Sequence, residues 1–473
     1  MSNITTIIKS IRDIMRKDAG VDGDAQRISQ MVWMLFMKIF ADKEEEWEYT
    51  LDNYKSPIAD KFKWDSWAAD DEGKTGEELM EFINSELFPA LKDIDTTKTE
   101  QAKIIKAVFE DTYNYMKNGT LFRQVINEID KIDFNSSEDR HTFNDIYETI
   151  LKELQSAGSS GEYYTPRAVT QFIVDMVNPQ LGESVLDPAS GTGGFLTCSI
   201  DHVRKQIDNP KATQTLQDSI RGVEKKPLPH LLCTTNLMLH GFDQPAVTRG
   251  NMLTKSYSDY GVKDQVNIVL SNPPFGGTEE DGTEKNFPKK FQTKETADLF
   301  LALIIKVLKK KGRAGVVLPD GTLFGEGVKT RIKEELLTKC NLHTIVRLPN
   351  GVFNPYTGIK TNLLFFEKGT PTKETWYYEM PYPEGIKNFS RSRPVDIKHF
   401  DDIKTWWEDR EENEFAWKVS LKEIKERSFN LDIKNSHVLE AEKVFTTEEL
   451  LVKIDTSFDK SVKLLAEIKK ALL

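Results

Sequence analysis

Two short stretches of this chain carry residue types at spacings that serve chemistry more than packing. The first is Val185-Leu-Asp-Pro-Ala-Ser-Gly-Thr-Gly-Gly-Phe195, which reads as a strand, a glycine-rich turn and the start of a helix. Gly191, Gly193 and Gly194, with Thr192 among them, permit positive φ and close approach of backbone to a ligand. Asp187 ends the strand where a crevice opens in a doubly wound sheet. No Gly-Lys-Ser/Thr follows, so the turn is not a P-loop, and Leu196 breaks a GxGxxG dinucleotide fingerprint. A carboxylate there repels pyrophosphate and suits a ligand with an ammonium group and free hydroxyls, such as S-adenosylmethionine. Glu224, at the end of the next apolar run, suits two ribose hydroxyls. The alternative for it is a strand-end surface acid.

The second stretch is Ser271-Asn-Pro-Pro-Phe275, again closing an apolar run, Val266 to Leu270. Pro273 and Pro274 fix the backbone, so the Asn272 side-chain carbonyl and the Pro273 main-chain carbonyl can converge on one point. Two acceptors on an exocyclic amine hold its protons, orient the nitrogen lone pair and stabilise positive charge during alkylation. Phe275 gives a flat ring system a stacking surface.

These residues need a scaffold, and the pattern of the chain supplies one. Short β-branched runs at Ser184–Asp187, Ile220–Glu224, Val266–Ser271, Ala314–Leu318, Thr344–Leu348 and Asn362–Phe366 alternate with helical segments, which predicts a doubly wound α/β sheet. One helix is expected to begin at Asp298, carry Lys309 to Lys311 in its last turn and stop at Gly312. Residues 1–155 read as an all-helical domain: Asp24 is expected to cap a helix with Ile28, Val32, Leu35, Phe36 and Ile39 on one face, and further helices are expected at Gly76–Leu91, Glu100–Lys117 and His141–Leu154. A Gly/Ser connector at 156–161 opens a second domain, 156–432, to which Trp376, Trp406, Trp407 and Trp417 anchor a small extension. The tail, 433–473, carries a capping box at Thr446–Glu449 and a heptad seam through Leu451, Ile454, Phe458, Ser461, Leu465, Ile468 and Leu472, either folded back or offered to another chain.

Composition narrows the class. The 473 residues hold 64 Lys+Arg against 75 Asp+Glu, a net charge of −11, which argues against gripping nucleic acid with the whole surface. Cys198, Cys233 and Cys340 form no CxxC or metal-ligand spacing, so reduced, buried thiols in a cytoplasmic chain are expected and no metal site. No secretory h-region begins the sequence, and the most apolar window, Met31 to Phe40, is too short to span a membrane.

Taken together, the DPASGTG and NPPF motifs resemble those of amino-methyltransferases that use S-adenosylmethionine. Gly161-Glu-Tyr-Tyr-Thr-Pro-Arg167 is similar to the additional cofactor motif of one class of DNA adenine-N6 methyltransferases. With Leu348-Pro-Asn-Gly-Val-Phe353 and Thr361-Asn-Leu-Leu-Phe-Phe366, the chain resembles the modification subunit of type I restriction-modification systems, most strongly over 158–368. The resemblance implies that Glu162, Tyr163, Tyr164, Thr165, Pro166, Arg167, Gly191, Thr192, Gly193 and Gly194 line the cofactor. It places Thr165 near its carboxylate, Asp187 near its amino group, Glu224 on the ribose and Asn251 near its adenine amine. Asn272 and Pro273 would hold the target amine, Phe275 would stack on the base, and Phe353 would supply the opposite aromatic face or belong to the core.

Adenine N6 cannot meet the sulfonium methyl in line inside a duplex, so the base must be extruded. Only about a hundred residues follow Phe366, without a zinc finger or basic helix, so target reading is expected from a separate specificity subunit, in an assembly with a second copy of this chain and a restriction subunit. Two alternatives stand beside this reading: a protein glutamine-N5 methyltransferase, which poses the same amide-nitrogen geometry, and a non-catalytic scaffold. The polar segment Gly276–Thr296, with Lys285, Lys289, Lys290 and Lys294, reads either as a cover for displaced DNA or as a solvated loop.

Overall fold

The computed structural model describes residues 3–136, 147, 165–207, 209–275, 277–354, 357–390, 392–435, 451–452, 454–458 and 461–462. Residues 1–434 form one compact unit and 435–473 another.

The N-terminal helices pack around helix Asp24–Thr50, whose stripe Ile28, Val32, Leu35, Phe36 and Ile39 is buried, with Trp33 fully enclosed by Phe88, Phe109 and Phe122. Asp24 does not cap this helix. Gly23 takes the cap position with extended backbone, and Asp24 is the first helical residue, paired to Arg27 at 2.8 Å. The helix expected at Gly76–Leu91 is present through Lys92, with a π turn over Phe82–Leu87 just before Pro89, which has no N–H to give the preceding turn.

The helix expected at Glu100–Lys117 stops at Phe109, and a second helix, Gly119–Asp130, follows. The extended stretch between them is held from far away in sequence. Gln30 Oε1 accepts from the Tyr115 amide at 2.7 Å, and the buried Asp18 carboxylate accepts from the Lys117 and Asn118 amides. Buried acceptors satisfy these amides as a helix would have, so local periodicity could not reveal the break. Apart from Tyr147, which is helical and buried, the helix expected at His141–Leu154 lies outside the described residues, as does the 156–161 connector.

Among the described residues nine strands form one sheet: β1 Val185–Asp187, β2 Ile220–Glu224, β3 Ala246–Arg249, β4 Val266–Ser271, β5 Leu308–Pro319, β6 Cys340–Arg347, β7 Thr361–Lys368, β8 Glu374–Glu379 and β9 Ala416–Ser420. Their order is β3-β2-β1-β4-β5-β7-β6-β8-β9. The first five pair in parallel, and β7 runs antiparallel between β5 and β6. The carboxyl ends of β1, β2 and β4 therefore lie side by side and place Asp187, Glu224 and Ser271 on one edge.

The helix expected from Asp298 spans Thr296–Val307, and Lys309 to Lys311 are not its last turn. The chain turns into β5 at Leu308, which pairs with Val266, and Lys311 takes a positive φ of 66° where the register shifts. Strand pairing with β4 outweighs the cationic helix-end pattern.

Helix Pro227–Leu239 ties the halves together. Leu231, Leu232, Met238 and Leu239 belong to the N-terminal core, whereas Cys233 and Leu237 pack under the sheet. Asp243 just beyond it accepts from Lys43 and from the Trp47 indole N–H at 3.0 Å. Trp376 lies on β8, and Trp417 on β9 stacks on Tyr377 with ring centroids 5.3 Å apart, so the aromatic extension completes the far side of the sheet. In the separate C-terminal unit, Leu451, Ile454 and Phe458 are helical and exposed, and Leu465, Ile468 and Leu472 lie outside the described residues.

Candidate active site

The glycine-rich turn between β1 and helix Gly194–Arg204 is held from three sides. Glu224 Oε2 accepts from the Gly191 amide at 2.8 Å, and its Oε1 accepts from the Lys226 amide at 2.8 Å. The Ser190 amide donates to the Val223 carbonyl at 2.9 Å. From below, the Asn236 amide donates to the Thr192 carbonyl at 3.0 Å. Gly191 and Gly193 have φ of 52° and 85°, and a Cβ on Gly193 would sit 2.8 Å from Cys233 Sγ. Only glycine fits that backbone and that gap.

Asp187 is 1% exposed and accepts from the Ala189 amide at 3.1 Å and from the Ser271 hydroxyl at 2.8 Å. Burial, with Glu224 nearby, pushes its pKa up to about 7 against those hydrogen bonds. Burial raises Glu224 as well, opposed by the backbone amides it accepts from. Two buried acids whose charge burial disfavours, one at the end of each strand, suit a ligand that brings a positive charge and hydroxyl donors.

Ser271 links this turn to the second motif, since the next residue is Asn272. The Asn272 Nδ2 donates to the Thr165 hydroxyl oxygen at 2.8 Å, and its Oδ1 is buried without a hydrogen-bond partner among the described residues. Pro273 is buried beside it, and Pro274 is partly exposed. Phe275 and Phe353 are each 1% exposed and touch edge to face, with centroids 6.4 Å apart at 82°. These two rings meet each other directly and do not stand as parallel faces.

Arg167 reaches the cofactor turn from the other motif. Its guanidinium donates to the Gly194 carbonyl at 3.2 Å, to the Thr197 hydroxyl and to Asp201. Pro166 caps helix Arg167–Val177, while Glu162, Tyr163 and Tyr164 lie outside the described residues. Asn251 follows β3; its Oδ1 accepts from the Leu253 amide and its Nδ2 donates to Glu279 Oε2 at 2.9 Å. Lys225 pairs with Glu279 and Glu280, which brings the start of the 276–296 segment over this corner. Phe287 and Phe291 of that segment are buried, and Lys290 and Lys294 pair with Glu335 and Asp281.

Sequence reasoning quoted Ser271 with the second motif but gave it no role, and it did not place Cys233, Asn236 or Glu279 in this site. Ser271 adjoins the motif, and its role could have been found there. The others act across elements and leave no local signal.

The geometry fits S-adenosylmethionine: a glycine turn with backbone room, an acid at each of two strand ends and, next to them, an orphaned buried carbonyl oxygen. Comparison with known proteins points to a methylase. Residues 138–444 match the N-6 DNA methylase family, and residues 4–129 match the HsdM N-terminal domain. The methylase subunit of the type I restriction enzyme EcoEI of Escherichia coli is 59% identical over 446 residues, covering 92% of this chain and 91% of that one. A crystal structure of a modification subunit assigned to a type I restriction enzyme of Vibrio vulnificus is 44% identical with a TM-score of 0.84, covering 92% of this chain and 97% of that one. A structure concerned with complex assembly and conformational transition of the type I restriction-modification system is 33% identical with a TM-score of 0.83, covering 99% and 98%. No helix among the described residues is long and apolar enough to cross a membrane. The chain belongs to the N-6 DNA methylase family, among the methylase subunits of type I restriction enzymes.

Proposed function

We propose that this cytoplasmic chain transfers a methyl group from S-adenosylmethionine to N6 of an extruded adenine in DNA, as the modification subunit of a complex whose target is read by a specificity subunit. A second copy of the chain and a restriction subunit complete the assembly. The observation that carries the reading is the Asn272 amide: its NH2 end is tied to Thr165, and its oxygen is buried with no donor among the described residues. An unmet buried acceptor costs free energy, and an incoming amine N–H removes that cost.

Bound in the glycine turn, S-adenosylmethionine supplies an already activated methyl group, so the protein's work is alignment and exclusion of water. Asp187 faces the cofactor's ammonium and Glu224 its ribose, while Thr192, Gly194 and Arg167 keep the turn in place. Asn251, braced by Glu279, lies toward the adenine end. Asn272 Oδ1 and the Pro273 carbonyl each accept one N6 hydrogen, which turns the nitrogen lone pair toward the methyl donor. The methyl group would pass from sulfur to N6, the S–C bond breaking to leave the neutral thioether as the N–C bond forms; Asn272 Oδ1 and the Pro273 carbonyl would stabilise the positive charge on nitrogen, and the surplus N6 proton would leave to solvent. Phe275 stacks on the extruded base. Phe353 can supply the opposite face only after the edge-to-face contact with Phe275 opens.

The test is transfer of a radiolabelled methyl group by the chain purified with its specificity subunit, followed by identification of the modified base. Label on adenine N6 that disappears in Asn272→Ala is expected. Label on protein glutamine, or undiminished transfer in that variant, overturns the reading.

A further inference from the structure

We propose that Thr165 is a positioning residue for methyl transfer, holding the Asn272 amide by its NH2 end so that the amide oxygen stays free for the target amine. The inference rests on the reading of Asn272 as the acceptor for that amine. Thr165 and Asn272 are 107 residues apart in sequence, yet the Asn272 Nδ2 to Thr165 Oγ1 distance is 2.8 Å. The amide's other end has no partner among the described residues. Among the described residues no other hydrogen bond fixes the amide's rotation, and an amide turned the other way would present two donors to an amine that needs acceptors.

Thr165 is itself held. Pro166 follows it and restricts its backbone, and Arg167 is locked onto the Gly194 carbonyl, Thr197 and Asp201 of the helix that begins at the glycine turn. The segment that anchors the cofactor turn therefore also supplies the oxygen that anchors the reacting amide. Any shift of this segment moves both together.

The amide donates at this contact, so the hydroxyl keeps its own proton for an acceptor elsewhere. Serine preserves the oxygen, and valine preserves the shape while removing it. In the complex with the specificity subunit, Thr165→Val is expected to lower kcat at saturating cofactor about tenfold, the worth of one uncharged hydrogen bond. Affinity for S-adenosylhomocysteine, read by calorimetry, measures separately whatever the Thr165 hydroxyl gives to the cofactor's carboxylate, and Thr165→Ser should return kcat to within about threefold of the parent. In an Asn272→Ala background, Thr165→Val should cost nothing further, because the group it acts through is gone. Should Thr165→Val lose its thermal transition, Thr165→Ala carries the same expectations.

Unchanged kcat in Thr165→Val overturns the proposal. So does a loss of S-adenosylhomocysteine affinity with kcat intact at saturation, which makes Thr165 a cofactor contact only, and so does a serine variant as slow as valine. Undiminished transfer in Asn272→Ala alone overturns the reading of Asn272 itself, whatever the Thr165 variants do.

Discussion

The two edges of the sheet are built from the same residue types and treat them oppositely. At the amino edge, polar side chains are matched. Arg313 forks onto both oxygens of Glu183 at 2.9 and 2.7 Å and also donates to the Val177 and Asn178 carbonyls that end helix Arg167–Val177. Asn267 Oδ1 there accepts from Ser184 and Lys309. At the carboxyl edge, Asp187 and Glu224 are buried with raised pKa values, and Asn272 and Asn362 each keep a buried carbonyl oxygen without a partner among the described residues. One edge spends its polar groups on holding strand starts and a helix end in place. The other leaves capacity unmet, which is what a binding site requires.

Removing a group should therefore cost activity at one edge and stability at the other. Asn272→Ala is the largest expected effect: methyl transfer should fall about a thousandfold, as for loss of one transition-state hydrogen bond. Its melting temperature should hold or rise slightly, since an unsatisfied oxygen goes with it. A melting temperature that drops by many degrees would make Asn272 a structural residue and break the contrast. Gly193→Ala comes next. The added methyl meets Cys233 Sγ at 2.8 Å on a backbone at φ 85°, so affinity for S-adenosylhomocysteine should fall about a hundredfold, from strain of ~1–3 kcal/mol placed in the turn itself. Gly76→Ala, at φ 57° but with open space, serves as the comparison and should leave that affinity alone.

Arg313→Ala tests the opposite edge. The ion pair is partly exposed, with side chains 31% and 22% accessible, so most of the cost should come from helix-end carbonyls left without a donor. Denaturant unfolding is expected to show a loss of about 2 kcal/mol, with kcat per folded molecule unchanged. A variant that folds as well as the parent but transfers methyl groups more slowly would mean that the two edges are not separable.

How much of this was legible beforehand follows from how each feature is made. Strands β2 and β4 were readable to the residue because β-branched runs bounded by turn residues specify them locally. Strand β3 was missed: Ala246–Arg249 is a four-residue edge strand, partly exposed throughout, and its pairing of Arg221 with Ala246 defines it more than its own residues do. Strands β8 and β9 were missed for a related reason, since they extend a sheet already complete in the repeating pattern. In the site, Asp187, Glu224 and Asn272 were legible because a strand end, a glycine turn and two prolines fix where they point. The contacts that set their chemistry were not. Ser271 reaches Asp187 across 84 residues, Asn236 reaches Thr192 across 44 and Glu279 reaches Asn251 across 28, separations at which only the fold decides proximity.

The smallest expected effect is the one that measures the unmet capacity most directly. Asp187 has a pKa of about 7 because burial disfavours its charge. Below that value the carboxyl is protonated, and a cofactor ammonium must displace that proton before it can be paired; above it the carboxylate stands ready. The pairing pulls the pKa down, so binding releases protons on the acid side of 7 and releases almost none at pH 8. Affinity for S-adenosylhomocysteine, which carries the same ammonium group, should therefore rise about tenfold between pH 6 and pH 8 and then level off. Calorimetry in two buffers of different ionisation enthalpy reads the released protons separately from the affinity. Asp187→Asn should flatten the profile at a uniformly weaker affinity. A profile already flat in the parent would mean that Asp187 is charged without a ligand, and that the carboxyl edge is as well satisfied as the amino edge. Folding takes the opposite sign. A carboxyl whose pKa is raised in the native state makes the ligand-free protein less stable as pH rises from about 4 through 7, and bound cofactor should remove that slope.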